Sequence, residues 1–321
     1  MRLALYLPPW PNVMWTLGPQ LGVGVAVAGL PVPGPGQLPA WDFDSLLRLR
    51  TRFADAGLDA MVIEASPPMD QIKLGLPGRE EELEAVCELV TNMGAAGFKI
   101  WCYNWMAKFN WLRTSVTTRG RGGALVTSYD HALMAKAPLT DAGEVADEQM
   151  WDAMAWFVER IVPVAEAAGI KLAVHPDDPP LSPIRGMCRI LRSPEGFERA
   201  MALHPSPNHG MTFCQGSFST MNVDIPANIR KFGATGKVHF VHFRDVRGTP
   251  EKFEEVFHDE GPTDMLTAMA AYREIGFDGP MRPDHVPTMH GDINDPPGYT
   301  TFGRLYAVGY MRGLMEAVGR D

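Results

Sequence analysis

Four short apolar runs in this chain end in residues that carry chemistry. Lys171 to Pro180 (KLAVHPDDPP) delivers His175 and Met211 to Ser217 (MTFCQGS) delivers Cys214. Lys237 to Val246 (KVHFVHFRDV) delivers His242, and Gly279 to Pro287 (GPMRPDHVP) delivers Asp284 and His285. Leu172, Ala173 and Val174 are too few for a helix and are followed by residues that stop a strand, so His175 belongs where a buried strand opens onto a loop. Cys, His and Asp gathered at one end of several strands are the ligand types of a divalent metal centre on a barrel rim.

Each residue also has a plainer reading. His175 alone would be a strand-end histidine capping a loop, but Asp177 and Asp178 before Pro179 and Pro180 form a rigid carboxylate turn suited to fixing an imidazole tautomer. Cys214, before Gln-Gly-Ser, reads as a thiolate metal ligand, with a nucleophilic thiol or a buried structural cysteine as alternatives; its glycine admits close approach of ligand or backbone. His239 and His242 are an odd number apart and point to opposite sides of their strand, so His242 is the better ligand and His239 sits between strand and helix. Arg244 and Arg282 are candidate forks for a substrate carboxylate, the alternative for Arg244 being a rim ion pair with Asp245 or another acid. Asp177 and Asn104 are further candidate substrate contacts. His285, next to Asp284 but directed elsewhere, is free for proton transfer, and Tyr299 in PPGYTTFGR could reach the same site. Glu64 ends a third apolar run. Trp105, Phe109 and Trp111 could equally wall a polyol pocket or pack a loop base.

These residues need a frame. Short apolar runs alternate with amphipathic stretches along the whole chain, the pattern of βα units around a parallel sheet. Eight strands can be counted: Leu3 to Leu7, Val23 to Leu30, Ala60 to Ala65, Lys99 to Tyr103, Lys171 to His175, Met211 to Cys214, Val238 to Phe243 and Pro280 to Asp284. Helical periods are clearest at Asp44–Ala56, Glu80–Met93, Glu148–Ala168, Ser193–Leu203 and Met265–Ile275, and several end at Gly57, Gly97, Gly169 or Gly276, the expected C-cap glycines. The spacing predicts a single (β/α)8 TIM-barrel domain over residues 1–321, with a closing helix at Phe302–Val318. The first unit, Asn12–Gln20, is weakened by Gly18 and Pro19. Pro31–Pro39 reads as a surface or active-site loop, and Thr114–Asp141 as the longest irregular stretch, a lid or subunit contact.

Composition narrows the function class. A formal charge of −9 without a basic stripe argues against nucleic acid and anionic membrane surfaces. No apolar run is long enough to span a bilayer, and the N-terminus reads as a first strand rather than a signal peptide, which places the protein in the cytoplasm. Cys87, Cys102, Cys188 and Cys214 show no paired spacing, so neither a zinc finger nor a disulfide framework is expected.

Taken together, IEASPPMDQIKLG, CYNWM with FNWLRT, AVHPDDPP, FCQGS, HFVHFRDV, GPMRPDH and PPGYTTFGRL resemble the D-mannonate dehydratases, in the same order and from about the third strand to the C-terminus. The resemblance implies a xylose-isomerase-like barrel, one divalent ion (Mn2+ or Fe2+) and loss of water from D-mannonate to give 2-dehydro-3-deoxy-D-gluconate. It implies the ligand set His175, Cys214, His242 and Asp284, with His285 and Tyr299 at the proton-transfer positions. A small anionic sugar acid is the expected partner, and a homo-oligomer, dimer or tetramer, the expected assembly. A divalent-metal sugar isomerase or epimerase on the same barrel is the alternative activity. The N-terminal region departs from the family pattern: GLPVPGPGQLP stands where a His- and Glu-bearing segment is expected, and EGPTD replaces a Gly-Asp-Val-Asp run.

Overall fold

Alternation along each strand decides what faces the barrel axis. The computed structural model describes residues 1–34 and 36–319. Eight parallel strands close in the order β1-β12-β9-β8-β7-β4-β3-β2. They are β1 (Arg2–Leu7), β2 (Val25–Ala28), β3 (Asp59–Ile63), β4 (Ile100–Asn104), β7 (Lys171–His175), β8 (His209–Cys214), β9 (Val238–Phe243) and β12 (Pro280–Pro283). Ala4, Val25, Val27, Val62, Ile100, Cys102, Ala173 and Phe240 form the small inner core. Their neighbours in sequence, among them Leu5, Leu7, Leu172, Val174, Val241 and Phe243, join the larger layer between strands and helices. The eight expected strands are all present with ends shifted by one or two residues, the scatter expected of strand and helix ends.

The expected helices form as Phe43–Asp55, Arg79–Ala96, Asp147–Ala168, Pro194–Ala202, Met265–Glu274 and a closing Thr301–Ala317. Gly57, Gly97, Gly169 and Gly276 take positive φ at these helix ends. Asn12–Gln20 forms no more than the two turns that Gly18 and Pro19 allow. Asn12 accepts from Met14 N and caps a two-turn helix, Val13–Gln20, with Pro19 in its last turn. The short helices Asp70–Leu74, Gln215–Thr220 and Ile225–Gly233 were not legible in the sequence. Pro35, in the expected Pro31–Pro39 loop, lies outside the described residues.

The main correction concerns Thr114–Asp141. It is not irregular: it holds β5 (Ser115–Arg119), β6 (Leu125–Asp130) and the short helix His131–Met134. With β10 (Val246–Thr249) and β11 (Lys252–Glu255), β5 and β6 make an antiparallel sheet in the order β10-β11-β6-β5. This sheet joins the segments that follow β4 and β9, and Tyr129, Val246 and Phe253 pack under it with Ile184. The sequence hid it because β5 is mostly polar and half exposed, and its partners lie far away in the chain.

Two buried histidines sit away from the strand ends discussed below. His209 opens β8, with burial pushing its imidazole down from 6.5 to about 4. His239 donates from Nδ1 to Leu172 O at 2.9 Å, and burial likewise lowers it to about 4. Both are neutral when folded and protonate near 6.5 when unfolded, so the unfolded chain binds more protons between these values. Their stabilisation is complete above pH 6.5 and is lost as pH falls towards 4. Urea unfolding across that range should show this slope, and His209→Gln should flatten it by up to about 1.4 kcal/mol per pH unit. An unchanged slope in the variant would refute the buried neutral state.

Candidate metal centre and active site

β7, β8, β9 and β12 are consecutive neighbours around the barrel, and inward alternation brings one candidate ligand from each to the same end. His175 lies two residues beyond inward Ala173, His242 two beyond inward Phe240, and Cys214 two beyond Thr212, whose hydroxyl contacts inward Cys102 at 3.1 Å. Cys214 and His242 are register partners. His175 Nδ1 donates to Pro176 O at 2.7 Å, which turns the lone pair of Nε2 towards His242 Nδ1 at 3.1 Å. On the far side of that ring, His242 Nε2 faces Glu64 Oε1 at 3.3 Å, a contact that favours the proton on Nε2 and a second lone pair on Nδ1. Two imidazole lone pairs so close repel unless a cation or proton lies between them. Cys214 Sγ is within 4.8 Å of both nitrogens.

Asp284 adjoins this trio without belonging to it. Its Oδ2 is 3.6 Å from His242 Nδ1, but Arg244 Nε donates to that oxygen at 2.8 Å. Its Oδ1 accepts from Arg282 at 2.7 Å and from the Tyr299 hydroxyl at 3.1 Å. Burial opposes its charge, yet the arginines and histidines hold the carboxyl well below the usual carboxylate range. Arg244 also donates to both oxygens of Glu255 at 2.9 Å and to Asp178 at 2.9 Å. Arg113 grips Asp178 at 2.6 and 2.9 Å and Glu255 at 2.5 Å. Arg282 closes the chain by clasping Glu64 at 2.8 and 3.1 Å, and Arg282 with His242 outweighs burial to hold Glu64 down to about 2. Four carboxylates therefore face three guanidiniums, and one negative charge is left over beside the histidines.

A cavity of about 450 Å³ opens over this network. Its wall includes His175, His242, Arg282, Asp284, His285, Tyr299, Glu64 and Asn104. His285 Nδ1 lies 2.9 Å from Glu255 Oε1, which leaves Nε2 for the cavity, and its ring meets Tyr299 edge-on at 5.5 Å. Phe109 and Trp111 line the cavity; Trp105 does not, being buried against Phe157.

Several expectations change. Asp177 is buried away from the cavity, accepting from Leu191 N at 2.7 Å, and does not orient His175, whose partner is the Pro176 carbonyl. Arg244 lies behind Asp284 and outside the cavity wall, with Nε and both terminal nitrogens committed to acids. Arg282 reaches the wall but its donors are taken by Glu64, Asp284 and Pro283 O. Neither is free to fork a substrate carboxylate. Asp245 does not pair with Arg244 but accepts from Val246 N and Thr263 N. The glycine after Cys214 admits a side chain rather than a ligand: a Cβ on Gly216 would stand 2.2 Å from an Arg244 nitrogen. His258 is buried, and Asp259 pairs outward with Arg121. The early proline-rich loop contributes nothing to the cavity wall among the described residues, where the N-terminal region supplies Tyr6. Arg113, Glu255 and Lys73 were missed; an arginine among loop aromatics and a glutamate in KFEE carry no local mark of burial.

The comparisons agree with this geometry. The D-mannonate dehydratase (UxuA) family model matches residues 20–142 and 135–321. The chain belongs to the D-mannonate dehydratase family. Mannonate dehydratase 2 of Halalkalibacterium halodurans is 34% identical over 305 residues, covering 87% of this chain and 88% of that protein. The crystal structure of mannonate dehydratase from Streptococcus suis serotype 2 superposes with a TM-score of 0.92 at 29% identity, covering 99% of this chain and 93% of that one. An L-ribulose 3-epimerase structure, at 14% identity and a TM-score of 0.64 over 99% of this chain and 95% of that one, shares the fold.

The divalent ion of a metal-dependent dehydratase fits the residues present. Two facing imidazole nitrogens, a fully buried thiol and an uncompensated negative charge all ask for a cation at one point. Elemental analysis of protein purified without chelator should find one divalent ion per chain, with most of it lost in both Cys214→Ala and His242→Ala; full retention in both would defeat the assignment. Gly216→Ala should expel the Arg244 guanidinium and leave Asp178, Glu255 and Asp284 short of a partner. A loss of about 3–5 kcal/mol in chemical denaturation is expected, and a near-neutral result would show that the network repacks.

Proposed function

We propose that this chain removes water from D-mannonate to give 2-dehydro-3-deoxy-D-gluconate, using one manganese or ferrous ion held by His175, Cys214, His242 and Asp284. The observation that carries the reading is the His175–His242–Cys214 convergence under a cavity that also presents His285 and Tyr299, in a chain of the dehydratase family. When bound, the ion supplies Lewis acidity that favours loss of the proton beside the substrate carboxylate.

The reaction breaks the C2–H and C3–O bonds, forms a C2–C3 double bond, and the resulting enol becomes the 2-keto acid. His285 takes the C2 proton: Glu255 holds its Nδ1–H and leaves Nε2 as the base, at a residue kept at φ 33° by its surroundings. Tyr299 gives its proton to the departing C3 hydroxyl. It donates a hydrogen bond to Asp284 and is therefore a phenol at rest. Phe109 and Trp111 shield the cavity from water, and Asn104 lines it with its amide oxygen accepting from Lys73 and Met106 N. Four free cysteines suit a reducing compartment, the cytoplasm, and no helix among the described residues is long and apolar enough to cross a membrane.

Incubating the manganese-loaded protein with aldonic acids and aldoses tests the reaction class. A 2-keto-3-deoxy acid from D-mannonate is expected, whereas interconversion of aldoses without keto-deoxy acid would favour the isomerase alternative. In deuterium oxide, Tyr299→Phe should still exchange the C2 proton while making little product, and His285→Asn should do neither. The opposite pattern would reverse the two roles.

A further inference from the structure

Three cationic side chains other than histidines line the cavity: Lys73, Lys108 and Arg282. Arg282 already has two acids as counter-ions, Glu64 and Asp284, and spends four of its five N–H groups on them and on the Pro283 carbonyl. Lys108 turns outward and pairs with Asp141 at 2.8 Å. Lys73 is different. It sits on the short helix Asp70–Leu74 after β3, is only 8% exposed, and its Nζ donates to two neutral oxygens, Asn104 Oδ1 and Met106 O, each at 3.2 Å. No carboxylate among the described residues lies within ion-pair reach of it, although every other buried cation on this wall has one.

A buried ammonium without a counter-ion is costly to keep charged, and burial indeed pushes Lys73 down to about 8. Asp70, Asp177 and Glu82 act on the ammonium from beyond ion-pair distance and offset its burial only in part. Glu64, Asp178 and Asp284 are held by arginines, and Asp70 accepts from the Lys108 backbone N–H at 3.0 Å. With no acid in direct contact, the ammonium is open to an anionic ligand entering the cavity. Asn104, which holds Lys73, is the register partner of His175, so the ammonium stands one strand away from the candidate metal trio.

We propose that Lys73 binds the substrate carboxylate and is the residue that selects sugar acids over neutral sugars. This rests on the dehydratase reading and adds its specificity determinant, a role for which Arg244 and Arg282, each already paired with buried acids, are less suited. Asn104 and Met106 O aim the ammonium, and the carboxylate completes its coordination.

The test compares an acid with its uncharged isostere. Calorimetric Kd values of D-gluconate and D-gluconamide are measured on the wild-type metalloprotein, Lys73→Met, Lys73→Gln and Lys73→Arg, with circular dichroism to check folding. Wild type should prefer the acid by about 100-fold or more. Lys73→Met and Lys73→Gln should abolish that preference while binding the amide nearly as wild type does, and Lys73→Arg should keep part of it. Equal loss of acid and amide affinity would assign Lys73 a structural role and overturn the proposal. Should the neutral variants not fold, Lys73→Arg decides: a changed acid preference with unchanged amide affinity supports the proposal, and equal changes in both overturn it, as does a wild type without acid preference. D-mannonate turnover by the wild type is the separate control: its absence refutes the dehydratase reading, while the acid-against-amide comparison still decides the role of Lys73.

Discussion

The active-site mouth depends on one buried ionic chain, running from Glu64 through Arg282, Asp284 and Arg244 to Glu255, Asp178 and Arg113. Such a chain is expensive to desolvate and is stable only while every member keeps its partners. That requirement explains local features that otherwise look unrelated. Gly216 lacks a side chain because Arg244 occupies the space, and Arg113 leaves its loop to cross over to Asp178 and Glu255. Asp284 is positioned by two arginines and a phenol before any ligand arrives. The catalytic geometry is thus set by electrostatics that the folded protein itself completes, apart from the single negative charge left beside the histidines.

The antiparallel sheet over the barrel mouth makes that chain possible. Glu255 ends β11, and its carboxylate reaches Arg113, Arg244 and His285 at once. The segment expected to be irregular is instead paired strand to strand with the segment after β9. The sheet carries Glu255 over the barrel rim to the Nδ1 of His285. The same barrel in an L-ribulose 3-epimerase shows that the fold alone does not choose the chemistry. What this chain places at the strand ends is a thiol beside two facing imidazoles, and a buried lysine held by neutral oxygens.

The sequence by itself determined the barrel and the corner where His175, Cys214 and His242 meet. Period-two alternation fixes which side chains point inward, so His175, Cys214 and His242 at strand ends had to share one face once the strands closed in order. Eight strands, the main helices and the glycines at their ends were legible for the same reason: each is a local pattern. Only the tertiary structure decided which charges pair. Arg244 and Arg282 looked like substrate forks because a sequence shows donors and not the acids that occupy them. Lys73 carries no mark in the sequence, because its partners come from β4 and the loop beyond it, not from its own neighbours. Glu255 and Arg113 are 142 positions apart and meet only because two excursions from the barrel pair as strands. Ion pairing is non-local, and its energy depends on burial that the whole fold creates.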